Sequence, residues 1–252
     1  MQCMKEQDDA LRRFYDSFRK MKGRLHILEH RVPVEEQMRY FRYSNRIRKE
    51  KHEVKDDDCE LYETGLYSEE LPNDEKKKIL SILASSKQVW AYRLLESYVQ
   101  QPSEELVGWA YMALMESRIS IESELSDERQ IYVSTGLGGR GEKLRFYILV
   151  ISSGGASFLD YQRGVVRSEL EYVFSKNDCD IERLTVEDRY VELVALIPVS
   201  VDIRGALENA ISECNLYGRF LSEVFTITNV KEFSREDVAK ILERYGNDEA
   251  GH

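Results

Sequence analysis

The stretch KLRFYILVIS, residues 143–152, decides how this chain folds, because seven of its ten side chains are apolar and they run almost without a break. A run this short, free of turn residues, suits a strand covered on both faces at the centre of a sheet. Downstream the apolar period lengthens to that of a helix from about Asp160 to Ser175, with Val165, Val166, Leu170, Val173 and Phe174 inward. Two further extended runs follow, Ile181–Glu187 and Tyr190–Ile197, the second closed by Pro198. Asp202 then caps a helix with Ile203, Ala206, Leu207, Ala210, Ile211 and Cys214 on one face, and Glu223–Val230 gives a last strand. Ser234-Arg235-Glu236-Asp237 opens a C-terminal helix to Tyr245 in the manner of a weak capping box.

From Lys143 the order is therefore β-α-β-β-α-β, the split pattern of ferredoxin-like domains, and Gln130–Thr135 adds one edge strand ahead of it. Upstream the chain reads as helical. Leu11, Phe14, Phe18, Met21, Leu25, Leu28 and Val32 recur in steps of three and four, a heptad seam weakened at Gly23 and stopped at Val32-Pro33. Such a seam predicts either a partner helix or a long amphipathic helix folded onto its own domain. HEVKDDDCE, residues 52–60, reads as a charged linker. Helices follow from Asn73 or Asp74 through Leu83, from Ser85 or Ser86 through Val99, and, opened by Ser103, from Leu106 onward to near Ile121. Trp90-Ala91-Tyr92 and Trp109-Ala110-Tyr111 repeat at an offset of 19 residues, which suggests stacked antiparallel helices of the HEAT-like kind. The expected chain is α+β: a helical N-terminal half, heptad helix plus HEAT-like stacked helices, then a ferredoxin-like domain. The expected divisions are 1–58, a basic amphipathic segment; 59–126, the helical hairpin; and 127–252, the α+β domain with its C-terminal helix.

Composition narrows the function. With 252 residues, 42% hydrophobic and 33% charged, only four prolines and no long uncharged apolar run, the chain is expected to be globular, cytoplasmic and free of membrane spans. Cys3, Cys59, Cys179 and Cys214 lie far apart without a C-x-x-C pair, so reduced thiols and no metal or other cofactor are expected. A net charge of −10 excludes a surface that binds nucleic acid throughout. That charge is uneven: residues 1–58 hold 15 Lys and Arg against 12 Asp and Glu, so the remainder carries the acidic excess.

Within the N-terminal piece, RYFRYSNRIRKEK, Arg39 to Lys51, gathers six basic residues with Tyr40, Phe41 and Tyr43 interleaved. On a helix Arg39, Arg42, Arg46 and Lys49 share one face. That face can sit on phosphates with aromatics available for stacking, as single-stranded RNA binders require. A solvated helix face, or one that docks on the chain's own acidic remainder, has the same spacing, and the net charge favours docking over RNA.

Three further motifs bear on chemistry. GLGGRGEK, Gly136 to Lys143, is glycine-rich, but the next element reads as a strand, so no helix dipole faces a phosphate and the G-K-[ST] ending is missing. A hairpin tip offering Arg140 and Lys143 to an acidic partner is the other use for it. His26-Ile27-Leu28-Glu29-His30 matches the H-x-x-E-H string of inverted zinc peptidases, yet on the heptad helix both histidines face outward and no enclosing fold surrounds them. Asp188 to Pro198, DRYVELVALIP, followed by a helix, resembles the corresponding strand of the HUH-type tyrosine transposases over about thirty residues. Tyr190 and Glu192 stand where that family carries its metal-binding histidines, so the resemblance implies shared architecture and no catalytic residue. No G-x-S-x-G elbow is present, and no histidine lies between His52 and His252. The sequence thus points to a non-enzymatic cytoplasmic interaction or regulatory protein, binding a protein partner or a second copy through the Leu11–Val32 seam. The alternative is an RNA- or ribosome-associated protein that uses the Arg39–Lys51 stripe, and after it an enzyme with an unrecognised carboxylate site.

Overall fold

A computed structural model describes residues 23–50, 52–126 and 129–245. The described chain forms two compact units that divide between Gly138 and Gly139, where the sequence analysis expects breaks near residues 58 and 126. The reason lies in a strand pair. Arg24–Ile27 (β1) lies parallel to Gln130–Val133 (β2), in register from Arg24 with Gln130 to Ile27 with Val133, so the two ends of the first unit are tied together.

This pairing corrects the heptad helix over residues 24–32. Leu11, Phe14, Phe18 and Met21 lie outside the described residues, but Leu25 sits in β1 and Leu28 donates its N–H to the Val133 carbonyl at 3.0 Å. Gly23 has φ +149°, and a Cβ there would lie 2.1 Å from the Arg129 carbonyl oxygen, so the chain enters β1 by a backbone approach that only glycine allows. Leu28 and Val32 are nonetheless buried, in the core of the helical unit.

That unit consists of Val34–Lys49 (α1), Cys59–Tyr67 (α2), Asn73–Ser85 (α3), Val89–Tyr98 (α4) and Val107–Leu125 (α5) with the β1–β2 pair. Residues 52–60 are not a free linker. Lys55 donates its backbone N–H to Asp58 at 2.9 Å, Asp56 accepts from the Trp90 indole at 3.0 Å, and Cys59 opens α2. The core gathers Tyr40, Leu66, Leu80, Leu83, Ala91, Leu95, Ala110, Met112 and Ala113, so α1 packs in the same core as α3–α5. The repeated Trp-Ala-Tyr strings place both alanines, Ala91 and Ala110, at 0% exposure where helices approach closely.

The second unit is an antiparallel sheet with two helices between its strands. Its elements are Gly139–Arg140 (β3), Lys143–Ser152 (β4), Asp160–Lys176 (α6), Asp180–Val186 (β5), Tyr190–Pro198 (β6), Ile203–Asn215 (α7), Leu221–Thr228 (β7) and Arg235–Tyr245 (α8). The strand order is β7-β4-β6-β5, and the short β3 pairs with the start of β4. The edge strand expected at Gln130–Thr135 does not join this sheet, because Gln130–Val133 finds its backbone partner in β1 of the helical unit. β4 is central, as its apolar run demands: Leu144 and every residue from Phe146 to Ile151 are at most 2% exposed. Asp202 accepts from the Gly205 N–H at 3.3 Å, and Ser234 and Asp237 exchange the two bonds of a capping box. The class is α+β, and no described helix is long and apolar enough to cross a membrane.

Candidate functional site

The basic stripe forms as expected on α1, but its residues go to two places. Pro33 starts the helix, its carbonyl accepting from Glu36 and Gln37, while Glu35 and Glu36 in the first turn and Arg46, Arg48 and Lys49 in the last complement the helix dipole. Gln37, Tyr40, Ser44 and Ile47 form the buried face. Arg39, Arg42 and Arg46 stand on one flank of it and Arg48 on the other.

On the Arg48 side the helix docks. Glu116 of α5 accepts from Tyr40 Oη and Ser44 Oγ, both at 2.6 Å on Oε2, and its Oε1 takes Arg48. Burial, then the Glu116 charge, raises the Tyr40 phenol well above its ordinary value, so Tyr40 stays a donor.

On the other side lies a groove of about 430 Å³ between α1, α3 and the start of α5, lined by Arg39, Arg42, Tyr43, Arg46, Lys77 and Trp109 and edged by Glu36, Asp74 and Glu105. Trp109 is 6% exposed, and its indole nitrogen has no hydrogen-bond partner among the described residues. The Tyr43 ring meets it edge-on with centroids 5.4 Å apart, Arg46 stacks over Tyr43 at 4.6 Å, and Lys77 stands 5.5 Å over the Trp109 ring. Asp74 is held by Lys77 at 3.3 Å, and Glu105 accepts from Asn73. Glu36 lies against Gly108, where a Cβ would stand 2.7 Å from its carboxylate. Among the described residues Arg39, Arg42 and Arg46 are exposed and have no carboxylate partner.

Four of the expected binding residues therefore share one groove: Arg39, Arg42, Arg46 and Tyr43. Tyr40 is instead wholly buried and spent on Glu116, and Lys49, one turn on, is exposed outside the groove. Arg140 and Lys143 belong to the other unit and face its own acids: Arg140 lies 3.7 Å from Asp180, and Lys143 lies 3.2 Å from both Asp178 and Asp180. The second part of the Gly136–Lys143 loop, from Gly139, is a tight hairpin in which Arg140 pairs with Lys143 across Gly141 and Glu142. Lys77 carries no signal in the sequence that places it in the groove, and Trp109, marked there only by the Trp-Ala-Tyr repeat, is a core residue that also lines it.

The H-x-x-E-H string is not on a helix. His26 is buried in β1, with Nε2 2.7 Å from Gln130 Oε1 and 3.0 Å from Glu122, whereas His30 stacks on Tyr111 at 3.9 Å. Among the described residues no group of three or more His, Cys, Asp or Glu side chains is placed to hold a metal. On β6, Glu192 accepts from Tyr147 Oη at 2.6 Å.

No family model and no curated protein matches the chain. Among solved structures it is similar to a candidate transposase from Deinococcus radiodurans R1, with 17% identity, TM-score 0.37, and 42% of this chain and 94% of that one covered. A REP-associated tyrosine transposase bound to a REP hairpin gives 11% identity, TM-score 0.32, and coverage of 48% and 70%. The C-terminal domain of MgtC from Mycobacterium tuberculosis gives 15% identity, TM-score 0.26, and coverage of 35% and 88%.

Proposed function

We propose that the protein is a non-enzymatic interaction protein whose helical unit binds an acidic protein partner in the Arg39–Arg42–Arg46 groove. The observation that carries this reading is three guanidinia on one helix flank without carboxylate partners, beside an aromatic floor, while Arg48 on the same helix is paired within the fold. Exposed cations that a fold does not use for itself are available for complementary charge on a partner. The acidic edge, Glu36, Asp74 and Glu105, favours a partner of mixed charge over a continuous phosphate backbone. In this reading α2–α5 act as a short HEAT-like stack that presents the groove. The C-terminal unit is a ferredoxin-like βαββαβ module, a reading supported by the order β7-β4-β6-β5, and serves as a second docking element.

The test is capture from lysate by the full chain, with and without nuclease, beside the reversal variant Arg39→Glu/Arg42→Glu/Arg46→Glu. Protein capture that withstands nuclease, weakens with salt and is lost in the reversal at unchanged melting temperature is the expected result. Capture abolished by nuclease would replace this reading with RNA binding.

A further inference from the structure

We infer that the groove receives a phosphate monoester on a serine or threonine side chain of the partner; this rests on the anionic-partner reading above. Apart from the Glu36 carboxylate, the groove residues of α1 offer donors. Arg39, Arg42 and Arg46 bring guanidinium N–H groups, and the Tyr43 hydroxyl has no hydrogen bond of its own among the described residues; the Trp109 indole nitrogen beneath them is buried and unpartnered. Arg42 stands three residues from Arg39 and four from Arg46, about 5–6 Å at Cβ in each case, while Arg39 and Arg46 lie two turns apart, about 10 Å along the helix, a span that long side chains can close on one group.

What converges there must match both number and charge. A side-chain carboxylate offers two oxygens and one charge, which one bidentate arginine satisfies, leaving two guanidinia over. A phosphate monoester offers three acceptor oxygens and about −1.5 to −2 at neutral pH, which three arginines can divide. Arg46 is already held over Tyr43, so it loses less freedom on binding than a free side chain.

A polynucleotide fits less well. Its charge repeats along the chain, and a strand leaving the arginines toward α3 or α5 meets Asp74, Glu105 or Glu36. A peptide carries one phosphate and can place a lysine or arginine beside it. Glu36 is the carboxylate left for that residue, since Asp74 is engaged by Lys77 and Glu105 by Asn73.

The experiment presents immobilised full-length protein with three synthetic peptide pools that differ only at a fixed central position: phosphoserine, serine or glutamate. Each flank mixes all residues except cysteine. Retained peptides are quantified by mass spectrometry, with a single-stranded RNA dodecamer as a parallel probe. Retention of the phosphoserine pool at least tenfold above the other two is expected, with basic residues enriched beside the phosphate. Arg39→Gln/Arg42→Gln/Arg46→Gln should lose it and Lys49→Gln should keep it, the folded state of each being checked by tryptophan fluorescence. Retention should also fall as the pH is lowered from 7.5 to 5.5, because the dianion protonates near pH 6 while a glutamate stays charged. Equal retention of the phosphoserine and glutamate pools, dependent on the arginines, would overturn the phosphate inference and leave the acidic-partner reading standing. Retention of no pool would overturn both, and arginine-dependent retention of the RNA alone would transfer the groove to RNA.

Discussion

Removing the Glu116 carboxylate should cost the helical unit more than any other single polar change. Tyr40 is 0% exposed and Ser44 2%, and both donate to Glu116 Oε2 at 2.6 Å. In Glu116→Ala neither hydroxyl keeps its acceptor. A buried hydrogen bond to a charged group is worth about 1.5–3 kcal/mol, so two give about 3–6 kcal/mol, with the lower half expected where water enters the space left behind. Arg48 adds little, because 57% of its side chain is exposed and surface ion pairs contribute about 0–1 kcal/mol. Glu116→Gln keeps one carbonyl acceptor and should lose only about 1–2 kcal/mol. The assay is urea unfolding of the full chain followed by tryptophan fluorescence, since the only two tryptophans, Trp90 and Trp109, both lie in the helical unit. In a double-mutant cycle, Tyr40→Phe should cost less in the Glu116→Ala background than in the wild type. A loss below about 1 kcal/mol in Glu116→Ala, or strict additivity with Tyr40→Phe, would refute the idea that this carboxylate fastens α1 to α5.

Other expectations follow from burial and backbone geometry. Gly138→Ala should be severely destabilising, because φ is +68° and a Cβ would stand 2.6 Å from the Glu29 carbonyl oxygen; Gly141→Ala, at φ +59° with open space around it, should cost only about 1–2 kcal/mol, and Gly141→Asn less, as chemical denaturation would measure. Burial pushes the Cys179 thiol up to about 11 and Cys214 up to about 12, so in a Cys3→Ser background Ellman's reagent near pH 8 should label Cys59 readily, with the other two reacting only after unfolding. Tyr40, Tyr132 and Tyr147 titrate above the ordinary value, burial being the first cause of each. Because the unfolded chain ionises first, their contribution is fully present below about pH 10 and is lost as the pH rises toward the folded values; a melting temperature unchanged between pH 9 and 11.5 would contradict this.

What could be read ahead of the structure was local. KLRFYILVIS begins and ends where β4 does, and α6 starts at Asp160 as the periodicity indicates. Asp202 caps α7, and all six residues assigned to its inner face are buried. Each of these depends on neighbours within one element. The failure at residues 24–27 has the opposite origin. Leu25 and Leu28 satisfy a heptad count, but the backbone partner that makes β1 a strand is β2, more than a hundred residues downstream. Gly23 marks the place, and its meaning comes from the Arg129 carbonyl that it lets approach. The charged string at 52–60 was misleading for a similar reason, since Asp56 is fixed by the distant Trp90.

The candidate site shows the same division within a single helix. The spacing of Arg39, Arg42 and Arg46 on one flank follows from 100° per residue alone, and Arg48, two residues past Arg46, must then fall on the far side. Nothing in the helix says which flank meets the rest of the chain. That is decided by α5, where Trp109, Met112 and Glu116 at i, i+3 and i+7 form one row: Trp109 packs its ring against Tyr40 and Tyr43, and Glu116 draws in Tyr40, Ser44 and Arg48. One carboxylate at the far end of that row therefore settles both outcomes. It helps to fix the rotation of α1 about its axis, and with Arg48 satisfied there the other three arginines line the groove with Tyr43, Trp109 and Lys77. With Glu36, Asp74 and Glu105 also on the groove, a carboxylate in place of Trp109 would bring its four cations and its carboxylates to equal number; an aromatic residue there leaves one positive charge in excess and a ring surface beside the arginines, which suits an external anion.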